Sequence, residues 1–478
     1  MPTRSPASPT AILAIILISY FMILLDNSVI FTGLPSIRAG LELGPAALSW
    51  VQDAYTLVFG GLLLLGARAG DLVGRRRLLV IGLAIFGGAS LLIGLAPTGW
   101  WMIAARAVQG IGAAIVAPTS LALITAHFSG EARTRAVAWY GATAGIGASL
   151  GLVVGGALAD LVSWRAAFLV NVPIAVAMIV AARRVLGETE RRRGRFDVVG
   201  AVCATFGMGA LVFGIIESAE RGWASPVTVT GLVVGVVLLV ALVVHEARAD
   251  QPIMPLRLFG SRERSGAYAT RMLYMGAMIG FFYFTTQYLQ DALGFSPLQA
   301  GLGFLPMTVV NFAVAMAIPR LAARIPSAVL LLGGVAATLA GMAWLSRLGV
   351  GDTYLEAVAL PMLLIGVGQG LTFAPMTSAG ISGVPAEDAG AASGLLNTAH
   401  QLGMALGLGI LVAVSAQTGD LDGAAEVAAH VSAALTGSTV LLAMTLLVVA
   451  LVIVPARRTP SPAPAEPVTT NLAKEAAA

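Results

Sequence analysis

The feature that most constrains this chain is a series of long apolar segments, each close to the length that crosses a lipid bilayer. A helix needs about 20 mostly apolar residues to span the hydrocarbon core. Because lipid cannot satisfy free backbone groups, such segments must be helical. The sequence predicts an all-α polytopic membrane protein with fourteen transmembrane helices, at roughly 11–32, 48–67, 78–96, 100–125, 136–159, 166–184, 198–217, 227–245, 266–290, 299–318, 327–346, 354–378, 389–416 and 435–455.

The amino-acid composition excludes a soluble protein of this size. Of the 478 residues, 58% are apolar and 11% are charged, whereas a soluble domain carries about 25% charged residues. The single cysteine, Cys203, excludes a disulfide framework, and the 4 histidines have no metal-ligand spacing. We therefore expect neither a bound metal nor a cofactor.

The basic residues predict the orientation of the chain in the membrane. With the N-terminus inside, most of the 28 basic residues fall on the cytoplasmic side, as the positive-inside rule requires. The exceptions are Arg38, Arg165, Arg221 and Arg347 outside, and Arg106 and Arg271 within spans. Both termini are thus predicted to be cytoplasmic, and the charges indicate contact with lipid rather than nucleic acid. Lys474 is the one lysine, a bias that suggests a GC-rich bacterial genome and hence a bacterial plasma (inner) membrane.

Polar stretches divide the predicted spans into three groups. Residues 1–187 form an N-terminal six-helix bundle, and 188–264 form a linker with two extra transmembrane helices. Residues 265–456 form a C-terminal six-helix bundle. The tail 457–478, rich in Pro and Ala, is predicted to be disordered.

Two charged residues within the first and fourth spans are candidates for moving protons. A carboxylate such as Asp26 is costly in a bilayer, and it usually faces water or a partner and can exist protonated. Arg106 is a fixed cation that can lower the proton affinity of a nearby acid. The alternative for Asp26 is a buried structural acid, and for Arg106 a structural salt bridge.

Two further motifs lie in the loop after the second span and in the fifth span. The loop carries Gly70-Asp71 and Gly74-Arg75-Arg76, where glycines permit a tight turn and the acid can bond the arginines. In the fifth span Gly147, Gly151 and Gly155 recur every four residues, and Gly156 follows them. Such rows of small residues allow close helix packing, and ordinary packing also explains them.

These motifs, in this order, resemble those of the major facilitator superfamily, specifically its fourteen-helix drug:proton antiporter branch. The resemblance extends to about the last span. It is carried by Leu25-Asp26 with Leu34-Pro35, Trp50 to Tyr55, Gly70-Asp71 with Gly74-Arg75-Arg76, Arg106 with Gln109-Gly110, Gly151 with Gly155-Gly156, Trp164-Arg165 with Asn171-Val172-Pro173, and Ala389 to Gly394 with Asn397 and Gln401-Leu402-Gly403.

The resemblance implies alternating access between two six-helix bundles, with the substrate path at their interface. It also implies that the Gly70–Arg76 loop locks the cytoplasmic face, that Arg106 takes part in proton coupling, and that the glycines of the fifth span form the antiporter motif. Leu72 replaces the usual basic residue after Asp71, so the lock is expected to be weaker. Leu152 stands where the antiporter motif often has proline, which puts a kink there in doubt.

Polar residues in the spans are candidates for the substrate path. They are Asn27, Asp53, Gln109, Gln287, Asn311, Gln369, Asn397 and His400. For each one, a helix–helix hydrogen bond is the alternative. A largely apolar cavity with a few polar groups suits a hydrophobic or amphipathic ligand, and the charge of that ligand stays open. An aromatic run from Phe281 to Tyr288 either lines the cavity or faces lipid.

The sequence therefore predicts a monomeric secondary transporter that exports small hydrophobic or amphipathic compounds, such as antibiotics, in exchange for protons. No Walker A motif occurs, so the proton gradient is the expected energy source. One alternative is a transporter with narrow specificity for a metabolite or a self-made natural product. Another is a membrane-embedded enzyme or receptor, which the absence of any catalytic motif in the loops disfavours.

Overall fold

The computed structural model describes residues 8–189, 197–385, 388–417 and 423–458. Within these ranges the regular structure is helical, without a strand. The predicted tail from residue 459 onward and most of the Arg-rich stretch before Asp197 lie outside the described residues. The α-helices are α1 (Pro9–Leu41), α2 (Pro45–Val73), α3 (Arg75–Gly94), α4 (Gly99–His127), α5 (Gly130–Leu161), α6 (Trp164–Leu169), α7 (Asn171–Val185), α8 (Val198–Arg221), α9 (Pro226–Glu246), α10 (Arg262–Gln287), α11 (Pro297–Gly303), α12 (Leu305–Ala322), α13 (Ser327–Leu345), α14 (Leu360–Gly380), α15 (Ala389–Ser415), α16 (Gly423–Val448) and α17 (Val454–Arg458).

Prolines set several helix boundaries. Pro9, Pro45 and Pro226 stand in the first turn of their helices, where the missing N–H has no cost. Pro173 removes the hydrogen bond to the carbonyl four residues earlier. The predicted sixth span is accordingly split at Val170 into α6 and α7.

Twelve helical segments of the described chain are long and apolar enough to cross a membrane. The helices α5 and α10 do not meet that criterion, so the structure supports an all-helical membrane protein but not the predicted count of fourteen spans. For α10 the reason is polarity, because the helix opens with Arg262, Glu263 and Arg264 and contains Arg271. In α5 the described apolar stretch, Leu150–Leu161, is shorter than a membrane span.

The helices pack as two groups joined by a helix pair. Before α8, the main contacts are α2 with α4, α3 with α4, and α1 with α5. After α9, they are α13 with α14, α12 with α14, and α10 with both α15 and α16. We call these groups the N-terminal half (α1–α7) and the C-terminal half (α10–α17).

The two halves meet along two seams. On one side α2 packs against α15, where Gly60 lies against Gln401 and Leu64 lies against Gly394. On the other side α5 packs against α11 but makes few contacts with α12. The backbone carbonyl of Pro297 lies against Gly156 there.

Hydrogen bonds close one end of the interface, which we call the Arg38 end. Arg38 Nη2 lies 2.9 Å from Asp291 Oδ2, and Gln290 Nε2 donates to the carbonyl of Thr32 at 2.9 Å. Phe31 and Phe282 stack across the halves with ring centroids 5.5 Å apart. At the opposite end, which we call the Arg75 end, the first turns of α5 are exposed.

The helix pair α8–α9 lies beside the α2–α15 seam and contacts both halves. Met208, Val212 and Ile216 of α8 form an apolar cluster with Leu57 of α2 and Ala405 of α15. Helix α9 contacts α8, and its other side chains are largely exposed, as in a helix that faces lipid.

Candidate functional site

The centre of the N-terminal half contains a buried ion pair. Asp26 of α1 and Arg106 of α4 are both 0% exposed, and their side chains meet at 2.8 Å. Asp26 Oδ1 also accepts hydrogen bonds from Gln109 Nε2 at 2.9 Å and from Asn171 Nδ2 at 2.7 Å. The carboxylate therefore has three donors, from α4 and α7.

Arg106 is held by neighbours on three helices. Its Nε donates to the carbonyl of Val51 at 3.0 Å, and its Nη1 also donates to Gln109 Oε1 at 2.6 Å. Its Nη2 lies 3.4 Å from Gln52 Oε1. The guanidinium carbon lies 4.3 Å from the centroid of the Tyr55 ring, a cation–π distance. The cation is thus satisfied in this arrangement.

The network shows what a proton on Asp26 would change. An ionised carboxylate only accepts hydrogen bonds, whereas a protonated one carries a donor. Protonation would remove the negative charge that faces Arg106, and the new O–H would need an acceptor among neighbours that donate to Asp26.

Sequence reasoning missed four members of the network. Asn171 belongs to a motif but was not expected at the charge centre, and Gln52, Ser90 and Tyr55 were not singled out as site residues. Gln109 Nε2 donates to Ser90 Oγ at 2.9 Å, and Gln52 Nε2 donates to Asn27 Oδ1 at 3.3 Å. The available signal was a polar side chain in each of three apolar spans, which does not say which polar residues meet.

The loop between α2 and α3 is bonded to the chain that follows α7. Gly74 has a φ of +101°, which favours glycine. Arg75 Nη1 donates to the carbonyl of Ala122 at 2.7 Å. The carboxylate of Glu188 accepts from the backbone N–H groups of Arg76 and Arg77 at 3.1 and 3.2 Å. An anion at the start of α3 is favoured by the helix dipole. Glu188 is a residue that sequence reasoning missed, and the side chain of Asp71 lies outside what the structure describes.

The glycines of α5 face α1. A Cβ on Gly147 would lie 2.9 Å from Leu24, one on Gly151 would lie 2.5 Å from Ser28, and one on Gly155 would lie 2.6 Å from Val29. These glycines allow α5 and α1 to touch backbone to backbone, whereas Gly156 faces α11 of the other half. Helix α5 is continuous through Leu152.

The substrate-path candidates are dispersed. Gln109 belongs to the Asp26 network, and Asn27 bonds Gln52 beside it. Gln287 and Asn397 donate to backbone carbonyls of their own helices. Asn311, Gln369 and His400 are half-buried on α12, α14 and α15. The aromatic run of α10 is mostly buried in the core rather than exposed to lipid.

Two other charged side chains are buried without a partner in the described part of the chain. Both carboxylate oxygens of Asp53 lack a hydrogen bond, and the residue is 0% exposed. Arg271 of α10 is 7% exposed, and its Nε and Nη1 atoms lack a partner. Within the described residues, no group of His, Cys, Asp and Glu side chains could hold a metal ion.

Two helical halves, each with a buried charge, in a chain with many membrane spans are typical of a membrane transporter. Residues 16–408 match the model of the Major Facilitator Superfamily. The chain belongs to this family.

Relatives whose names state a function are consistent with this family. The chain is 39% identical over 446 residues to the cephamycin export protein CmcT of Amycolatopsis lactamdurans, and the match covers 92% of each chain. It is 38% identical over 411 residues to the puromycin resistance protein pur8 of Streptomyces alboniger, covering 84% of this chain and 81% of the relative. A solved bacterial homolog of the human lysosomal transporter Spinster has the same fold, with a TM-score of 0.66 at 15% identity, over 94% of this chain and 98% of that one.

Proposed function

We propose that this chain exports small hydrophobic or amphipathic compounds, of the antibiotic type, in exchange for protons. The observation that carries the proposal is the Asp26–Arg106 network, in which a buried acid on one helix faces a fixed cation on another, so that protonation of the acid would remove the attraction between them. Relatives designated as an exporter of cephamycin and as a puromycin resistance protein support the class of cargo. A proton gradient supplies about 2.3 kcal/mol per charge for each 100 mV of potential.

Proton coupling requires the chain to cross the bilayer with a defined orientation. We propose that α5 and α10 also cross, which gives fourteen spans with both termini in the cytoplasm of a bacterium. Both helices pack along neighbours that are themselves long and apolar, α1 and α15. The Arg75 end is then cytoplasmic, and the Arg38 end faces outward. Both halves belong to one chain, so a monomer supplies the whole interface.

In this orientation the conformation corresponds to the inward-facing state. The outward end is held by the Arg38–Asp291 pair and by the contact between α5 and α11. The few contacts between α5 and α12 leave the cytoplasmic side of that seam free for entry of the cargo.

The test is ethidium transport in everted membrane vesicles that contain the protein. We expect ethidium to accumulate when the membrane is energised and to leak out when an uncoupler collapses the proton gradient. Vesicles with an empty vector are the control. Transport that persists at full rate after the gradient is lost would contradict proton coupling.

Narrow specificity remains the second candidate, because three of the relatives are designated by a single antibiotic each. Competition distinguishes the two. If structurally unrelated compounds inhibit ethidium transport, specificity is broad. If only members of one chemical class inhibit it, the chain serves one kind of compound.

A further inference from the structure

Arg271 lies in α10 of the C-terminal half, where a guanidinium is hard to accommodate. It keeps its charge at any ordinary pH, and burying an unpaired charge is costly. No acidic side chain in the described ranges lies within ion-pair distance of it, and two of its three nitrogens lack an acceptor. Arg106, by contrast, is 0% exposed, and its nitrogens donate to acceptors within the protein.

The immediate neighbours of Arg271 are aromatic. Its guanidinium carbon lies 4.5 Å from the centroid of the Phe373 ring. His400 of α15 lies 6.5 Å from the same ring, centroid to centroid. A cation–π contact stabilises the charge but satisfies none of the N–H donors. These donors form the planar fork that matches a carboxylate.

Asp53 does not serve as the missing partner. Both of its carboxylate oxygens lack a hydrogen bond, so Asp53 does not pair with Arg271 in this conformation. Within the described residues, therefore, the protein supplies no anion to Arg271, and a bound ligand could.

We propose that Arg271 binds the carboxylate of a transported compound, while the apolar body of that compound lies against Phe373. This rests on the proposed function, and it adds lipophilic carboxylates to the classes of compound that the chain exports.

The test uses pyrenebutyrate and its methyl ester, which differ in charge but hardly in shape. Binding to the purified protein is measured by the shift of the thermal unfolding midpoint with ligand concentration. We expect the acid to bind the unchanged protein and Arg271→Gln to weaken that binding by about ten-fold or more, because a charge-assisted pair is lost. Ester binding should change less than about two-fold, and Arg271→Lys should retain part of the affinity for the acid.

Arg165→Gln is the matched control. Arg165 also stacks on an aromatic ring, that of Trp164, at 4.3 Å, but its Nη2 donates to the carbonyl of Ala96 at 2.7 Å. This variant should bind the acid like the unchanged protein. Equal binding of acid and ester, or full acid binding by Arg271→Gln, would overturn the proposal.

Anionic lipid is another source of the same chemistry. Stabilisation by phosphatidylglycerol that depends on Arg271, without a response to pyrenebutyrate, would also overturn the proposal of a transported carboxylate. The measurement needs no proton gradient. Gradient-driven ethidium transport without acid binding therefore defeats only this inference, whereas acid binding without gradient-driven transport defeats only the proposed function.

Discussion

The two halves of the molecule treat a buried arginine in opposite ways. In the N-terminal half Arg106 meets Asp26, Gln109 and a backbone carbonyl. In the C-terminal half Arg271 meets an aromatic ring and leaves two nitrogens without acceptors. A buried charge with all its hydrogen-bond partners stabilises this conformation of the protein. A buried charge without partners would be stabilised by a ligand that supplies them. In our two proposals the difference separates a site for protons, at Asp26, from a site for a ligand, at Arg271.

The change with the largest expected effect is Asp26→Asn in the satisfied network. An amide cannot cycle a proton and leaves Arg106 without its anion, so we expect gradient-driven ethidium transport to fall to the level of empty vesicles. The membrane content of the protein should stay normal. Asp250→Asn, which alters an exposed acid in the linker, is the control and should transport normally. Full transport by Asp26→Asn would reject Asp26 as the proton carrier.

The second prediction compares the two arginines directly by thermal or denaturant unfolding of the purified protein. Arg106→Met leaves a buried carboxylate unpaired and should destabilise the protein by about 3–5 kcal/mol. Arg271→Met removes a charge that the protein does not pair, so its stability should be unchanged or higher. Arg106→Lys should be intermediate, since a lysine lacks the planar fork. Equal losses for the two methionine variants would mean that the two sites do not differ in the way described.

The third prediction, with a smaller expected effect, compares how much two contacts of the Asp26–Arg106 network contribute to stability. Gln109 bonds Asp26, Arg106 and Ser90, whereas Gln52 reaches Arg106 at 3.4 Å. Gln109→Ala leaves several buried groups without partners and should cost about 1–3 kcal/mol, and Gln52→Ala should cost less. Both variants are compared in the same unfolding assay. A larger loss for Gln52→Ala would show that the network is centred elsewhere.

The smallest effect concerns a third kind of charge, the partly exposed Arg38–Asp291 pair between the halves. Burial raises the pKa of Asp291 above the ordinary value of 3.8, and Arg38 opposes this shift. Separation of the halves would solvate the carboxyl and remove the shift. Asp291 therefore binds a proton more strongly when the Arg38 end is closed than when it is open. Acidification toward pH 3.8, the ordinary pKa of the group, then favours the closed state.

The measurement is a spin-label distance across the Arg38 end. Cysteines at the exposed Leu161 and Val350, in a Cys203→Ser background, report on the two halves. We expect the short-distance population to grow at lower pH and Asp291→Asn to abolish that response. If the end opens on acidification, then attraction by Arg38 outweighs burial.

Sequence reasoning located the charges but not their partners. A carboxylate and a guanidinium in apolar spans stand out because each is costly in lipid, so hydropathy is enough to find Asp26 and Arg106. Asn171 and Gln52 could not be assigned, because an amide in a span bonds a neighbouring helix in many folds. Arg271 was visible as a charge in a span, but its lack of a partner depends on the packing of four helices. The helix break at Val170 follows from Pro173, although hydropathy alone gives a single span.

The position of the α8–α9 pair has a consequence for the motion. The polypeptide passes from one half to the other through α8 and α9, and α8 packs against both α2 and α15. Separation of α2 from α15 would therefore also break contacts with α8. Helices α5 and α12 make few contacts, so we expect the halves to part on that side and to stay joined along α8.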